Sequence, residues 1–262
     1  MGRATTRVLG PVLALIIGAA GPVAAIEAGQ MQGLAGEARA RDAGPRISRF
    51  QSGGRAITVE WFAAEGAPAS APAVLMLHGA DGLGQRGDQY RAGARALAAG
   101  GYHVGLVHYF DRTVSRWASL PAIFQNFPAW METLRDALTF AAGQPGVDPA
   151  RLGVVGISLG AALSLATAAE DTRIKALVDY FGPVPEGSLQ GATRLPPTLV
   201  LHGASDPIVP VSNARALEAF LERNAVPHEV KIYPGEGHGF GRAAQGDADA
   251  RVAAFLDRHL RR

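Results

Sequence analysis

Ser158 stands in Gly156-Ile157-Ser158-Leu159-Gly160, after an apolar run and before an alanine-rich one. A serine hydroxyl is a weak nucleophile until a neighbouring base takes its proton. Held in a sharp turn between a strand and a helix, it is exposed for attack on an acyl carbon, and the residues two positions away must then be small. Gly156 and Gly160 meet that requirement, and Ala161 and Ala162 extend the small surface. In this geometry the backbone N–H of Leu159 points to where an oxyanion would form, with the positive end of the following helix behind it.

The base and its partner must come from elsewhere in the chain. Of seven histidines, His238 sits in Gly235-Glu236-Gly237-His238-Gly239-Phe240, where glycines let a loop carry the ring over a sheet edge. Asp206 lies in Leu201-His202-Gly203-Ala204-Ser205-Asp206-Pro207, just past an apolar run. A carboxylate there can accept the imidazole's second N–H, fix its tautomer and stabilise the imidazolium. Asp179, at the end of the preceding apolar run, is the alternative acid. The order Ser158, Asp206, His238 is that of the α/β-hydrolase fold. Singly these residues have plainer readings, as a turn serine, a turn histidine and a helix-cap aspartate. Their weight comes from the combination. A further loop, His78-Gly79-Ala80-Asp81-Gly82, follows another apolar run and offers the Ala80 N–H as a second oxyanion donor. His78 reads as structural; Asp81 suits either a turn or a pocket wall. No histidine–carboxylate cluster has metal-ligand spacing, and this chemistry calls for no cofactor.

Such residues need a scaffold that brings strand ends together. Apolar runs predict strands over 56–61, 73–77, 103–107, 152–156, 174–180, 198–201 and 229–233. Helical spacing predicts helices over 90–99, 130–142, 159–169, 212–223 and about 248–260. The alternation implies an α/β fold with a mostly parallel sheet covered by helices on both faces, and sites in such sheets lie at the carboxyl ends of the strands.

The N-terminus has the three parts of an export signal: Arg3 and Arg7, an apolar stretch from Val8 to Ala20, and small residues at Val23-Ala24-Ala25. Interruptions by Pro11, Gly18, Gly21 and Pro22 argue against a membrane-spanning helix. The expected organisation is a signal over 1–25, a linker or arm over 26–46, and one catalytic domain over 47–262, in a periplasmic or secreted protein with no stable membrane association after cleavage. Removing Arg3 and Arg7 from the 25 basic residues leaves 23, equal to the 23 acids, so the mature chain is formally neutral. No basic run interleaved with aromatics suggests nucleic acid. The absence of cysteine excludes disulfides and thiolate metal sites.

Over roughly residues 50–262 the chain resembles the dienelactone hydrolase family. The likeness rests on Leu77-His78-Gly79-Ala80-Asp81-Gly82, His108-Tyr109-Phe110-Asp111-Arg112, Asp148-Pro149-Ala150-Arg151, His202-Gly203-Ala204-Ser205-Asp206 and His238-Gly239-Phe240. The resemblance implies that Arg112 and Arg242 hold a substrate carboxylate. It also implies a cysteine nucleophile and a glutamate near the oxyanion strand; this chain has Ser158 at the first and no plain match for the second. The expectation is hydrolysis of a small-molecule ester or lactone, carboxylate-bearing if the two arginines act as the resemblance implies, through an acyl-enzyme. The rivals are a peptidase or other hydrolase on the same scaffold, and a non-catalytic binding protein.

Overall fold

The computed structural model describes residues 44–261, apart from 67, 68, 186, 190, 191 and 193. The expected signal lies outside these residues, as does most of the expected arm. The last residue of that arm, Arg46, opens the first strand instead.

Eight strands form one sheet: β1 (Arg46–Ser52), β2 (Arg55–Phe62), β3 (Ala71–Leu77), β4 (His103–Val107), β5 (Val147–Ile157), β6 (Ile174–Tyr180), β7 (Thr198–Gly203) and β8 (His228–Tyr233). Their order across the sheet is β1-β2-β4-β3-β5-β6-β7-β8. The β1–β2 and β2–β4 pairs are antiparallel; every pair from β4 to β8 is parallel. Among the described residues five α-helices cover it: α1 (Gly87–Ala99), α2 (Leu120–Ala142), α3 (Leu159–Ala168), α4 (Ser212–Arg223) and α5 (Arg242–Leu260). This is the expected mostly parallel α/β-hydrolase sheet.

The core explains the apolar runs. Every residue of β3 and β4 is buried, as expected of parallel strands packed on both faces. One apolar cluster lies between the sheet and α2, α3 and α4, around Trp130, Leu163 and Leu217. The other lies under α1 and α5, around Tyr90, Leu97 and Phe255.

Three elements differ from expectation. Strand β1 is an edge strand whose residues are mostly exposed, so charged and apolar side chains alternate along it without a buried run. Helix α2 starts ten residues early, at Leu120, with Pro121 in its first turn, where proline lacks no needed donor, and Pro128 inside it. Helix α5 starts at Arg242; its first buried residue is the polar Gln245, followed by Gly246 and Asp247, so apolar periodicity appears only further on.

The strand order also fixes where a site can form. From β3 the chain runs outward to β4, then crosses back to β5 on the other side of β3. The loops leaving β3 and β5 therefore diverge and leave a crevice between adjacent strand ends.

Candidate active site

Ser158 occupies the turn between β5 and α3 with φ 54° and ψ −116°. A non-glycine residue rarely adopts positive φ, and the surrounding structure must hold it there. Its N–H donates to Tyr180 O at 2.9 Å, and its carbonyl accepts from Ala161 and Ala162. The flanking glycines are required by close backbone approach. A Cβ on Gly156 would lie 2.4 Å from Ala161 Cα, and one on Gly160 would lie 2.4 Å from Leu77 O. Gly160 thus clears the end of β3, so α3 can start against that strand.

His238 and Asp206 converge on this serine. The His238 Nε2 lies 2.9 Å from Ser158 Oγ, and its Nδ1 lies 2.7 Å from Asp206 Oδ2. A carboxylate oxygen accepts, so Nδ1 carries the proton and Nε2 is left to accept from the serine hydroxyl. Asp206 Oδ1 accepts the N–H groups of Ile208 and Val209 at 2.8 and 2.9 Å. Both carboxylate oxygens are therefore satisfied and buried. His202 packs beside this carboxylate and donates from Nε2 to Val209 O; burial, the largest influence, holds its pKa below the ordinary histidine value.

Two loops are stitched together to make this possible. Gly203 lies so close to the histidine loop that a Cβ would meet Gly237 O at 2.3 Å. Ser205 N–H donates to Glu236 O, and Glu236 Oε2 accepts Gly241 N–H at the start of α5. The His238 ring also packs on Phe181, with centroids 4.6 Å apart. Phe181 has φ 41° and donates its N–H to Leu201 O. The next residue, Gly182, donates to Asp179 Oδ1 at 2.8 Å. Asp179 thus braces the turn that supports His238, while Asp206 alone contacts the imidazole. Burial pushes the Asp179 carboxyl up to about 6, and its Oδ2 has no hydrogen-bond partner among the described residues.

The loop after β3 faces Ser158 across the crevice. A Cβ on Gly79 would lie 3.5 Å from the serine Cβ. Two buried tyrosines hold this loop: Gly79 N–H donates to Tyr90 Oη, and Tyr109 Oη donates to His78 O, each at 2.9 Å. Burial raises both phenols well above their ordinary range, so they stay protonated. Because Gly79 N–H is taken, the loop's next donor is Ala80 N–H. Ala80 and Leu159 N–H groups have no acceptor among the described residues. His78 is buried, its Nδ1 donates to Gly79 O, and its ring stacks on Tyr109 at 4.2 Å. Burial, its largest influence, lowers its pKa to about 3. It is a neutral structural residue, as its sequence context suggested. Asp81 is half-exposed and pairs with Arg86.

The two arginines do not share a partner. Arg112 donates to Ser52 O at 3.0 Å and to Glu132 at 2.7 Å, which fastens the β1–β2 hairpin to α2. Arg242 is exposed at the start of α5. The buried glutamate of this region, Glu60, lies on β2, with β4 between it and β3. Burial pushes its pKa upward, but hydrogen bonds from His108 and Arg91 prevail and hold it at about 2. Sequence reasoning passed over Tyr90, Phe181 and Glu60. Tyr109 stood in a quoted motif, but nothing there showed that its hydroxyl reaches the loop after β3.

Among the described residues no helix is long and apolar enough to cross a membrane, and no group of three or more potential ligands is arranged to hold a metal ion. Similarity to known proteins follows the fold and the site. A provisionally named carboxymethylenebutenolidase from Methylorubrum extorquens is 29% identical over 119 residues, 42% of this chain and 41% of that protein. An acyl-protein thioesterase 1 from Eremothecium gossypii is 31% identical over 119 residues, 43% of this chain and 51% of its own. These matches span about half or less of those relatives' length. Among solved structures, a provisionally named dienelactone hydrolase from Klebsiella pneumoniae superposes with TM-score 0.72 at 20% identity, covering 82% of this chain and 98% of the other. The sequence profile of the dienelactone hydrolase family matches residues 60–259. That span holds Ser158, Asp206 and His238 and the strands from β3 to β8, and the chain belongs to the dienelactone hydrolase family.

Proposed function

We propose that this hydrolase cleaves carboxylic ester or lactone bonds through an acyl-enzyme on Ser158. The observation that carries the reading is the unbroken chain from Asp206 Oδ2 through His238 to Ser158 Oγ, at 2.7 and 2.9 Å. Ser158 Oγ attacks the carbonyl carbon as its proton passes to His238 Nε2. Asp206 holds the imidazole in the accepting tautomer and stabilises the imidazolium that forms. The tetrahedral oxyanion accepts from the Ala80 and Leu159 N–H groups, supported by the N-terminus of α3. Collapse expels the alcohol, which takes the proton from His238. Water, activated by the same imidazole, then attacks the acyl-enzyme and returns the serine.

The relatives' names agree with acyl transfer to water: one is a lactone-opening enzyme by name, the other a thioesterase. A paired-arginine carboxylate clamp is no part of the proposal, because Arg112 is committed to Ser52 and Glu132. The export signal expected over residues 1–25 puts this activity in the periplasm or outside the cell. Substitution of Ser158→Ala tests the reading. Turnover of 4-nitrophenyl acetate should fall about 10⁴-fold or more with the fold intact. Retained turnover would refute it.

A further inference from the structure

The site's mouth carries apolar surface that the chemistry does not use. Among the described residues, six large hydrophobic side chains are strongly exposed, and five of these lie in two segments hydrogen-bonded to the site's residues, through Ala118 to Ala80 and through Ile208 to Asp206. Val114, Trp117, Leu120 and Phe124 are 73%, 65%, 66% and 75% exposed, and Ile208, two residues past Asp206, is 68% exposed. Scattered exposed apolar residues need no explanation, but contiguous ones mark binding surfaces.

The segment 114–124 is joined directly to the oxyanion loop. Ala118 N–H donates to Ala80 O at 2.8 Å. Gly82 lies so near the same segment that a Cβ would meet Arg116 O at 2.1 Å. The segment is also held in place from below: Ser115 N–H donates to Phe110 O, and Trp130 Nε1 donates to Thr113 Oγ1. Val114 is kept at φ 54°, an unusual backbone for a β-branched residue. A rigid loop thus turns apolar side chains outward at some cost in strain. Helix α2 continues the pattern. Ile123 and Phe127 face the core, while Leu120 and Phe124, one turn apart, form a second apolar stripe that faces solvent.

We propose that Trp117, Leu120 and Phe124 form a platform for the apolar acyl or aryl group of the ester, and that the preferred substrates carry medium-length or aromatic acyl groups. This rests on the hydrolytic reading above and specifies its substrate class. The occupant is argued from continuity: the platform begins one hydrogen bond from the proposed oxyanion donor. Arg112, the cation expected on this side, is tied to Ser52 and Glu132 and does not serve the platform as a carboxylate clamp.

Two measurements test it. The first is kcat/KM for 4-nitrophenyl acetate, butyrate and octanoate, each below its micelle-forming concentration, in the wild type, Trp117→Ser and Leu120→Ser/Phe124→Ser proteins. These residues are exposed, so the fold should survive. The octanoate rate should fall about tenfold or more in the variants, with the acetate rate within about twofold. An unchanged chain-length preference with Ser158-dependent turnover intact would overturn the platform alone. Acetate turnover with no octanoate turnover under these conditions would overturn it too, as would variants that change only self-association. The second is binding without turnover, on Ser158→Ala protein. Trp61 and Trp130 are buried, so a fluorescence change reports Trp117. Methyl octanoate should shift the emission to the blue, and methyl acetate should not. This stands even if no ester is turned over, an outcome that would sink the hydrolytic reading but not the surface. No shift with octanoate would refute the surface itself.

Discussion

Two regions meet at the mouth of this site and are built by opposite means. Around Ser158, backbone approaches backbone: Gly156, Gly160 and Gly203 each stand where a single Cβ would collide with a neighbouring main chain. Most side chains there are buried, and the polar atoms left without a partner among the described residues are few: the N–H groups of Ala80 and Leu159, one Asp179 oxygen and His202 Nδ1. Between Val114 and Phe124 the side chains of Val114, Trp117, Leu120 and Phe124 turn outward, and the segment is fastened mainly through its backbone. The difference separates two tasks. Reactive atoms must be fixed to fractions of an ångström, which close packing achieves. A surface that accepts part of a substrate needs area and little else.

The comparison can be broken at several points. The largest loss should come at Ser158→Ala, in the buried region. Asp206→Asn should follow: the amide leaves the shape intact but can favour the wrong imidazole tautomer, so kcat should fall about 10³-fold to 10⁴-fold with KM little changed. A loss of only a few fold would assign the acid's role to another group. Tyr90→Phe tests the clamp on the oxyanion loop. It leaves the Gly79 N–H without an acceptor, which costs about 1–3 kcal/mol of stability, and should lower kcat about tenfold while leaving KM near its original value. An unaltered kcat would make Tyr90 purely structural. The rim substitutions should alter chain-length preference and hardly touch the acetate rate, which is the outward-facing counterpart of those losses.

The smallest effect on activity is expected at Asp179, and it is a pH effect on stability. Burial raises this carboxyl from 3.8 to about 6 in the folded protein. Its protonated form favours folding, so its contribution is complete below about pH 4 and is lost as pH rises through 6. Asp179→Asn keeps an acceptor for Gly182 and cannot ionise. Its stability relative to wild type should therefore rise by up to about 3 kcal/mol between pH 4 and 7.5 in urea unfolding. A difference independent of pH would contradict the raised carboxyl.

The same contrast decides what was legible in the sequence. Ser158, Asp206 and His238 could be read because their constraints are local: small neighbours, a strand end and a chain order. The parallel strands could be read because burial on both faces leaves unbroken apolar runs. Strand β1 could not, since an exposed edge carries Arg46, Ser48 and Arg49 among its apolar residues. The first ten residues of α2 were obscured by Pro121 and Pro128. Arg112 was expected at the substrate from the resemblance, yet its partners, Ser52 and Glu132, come from distant parts of the chain. Tyr90 was hidden for the same reason. It is an ordinary helix residue until its hydroxyl reaches a loop that precedes its own helix.

The central claim is that His238 activates Ser158. Labelling with a fluorophosphonate probe, followed by mass spectrometry of the tryptic peptides, tests it most directly. The account predicts one modified residue, Ser158, in the wild-type protein and loss of labelling in His238→Ala with the fold intact. Equal labelling of the two proteins, or modification at another residue, would contradict it.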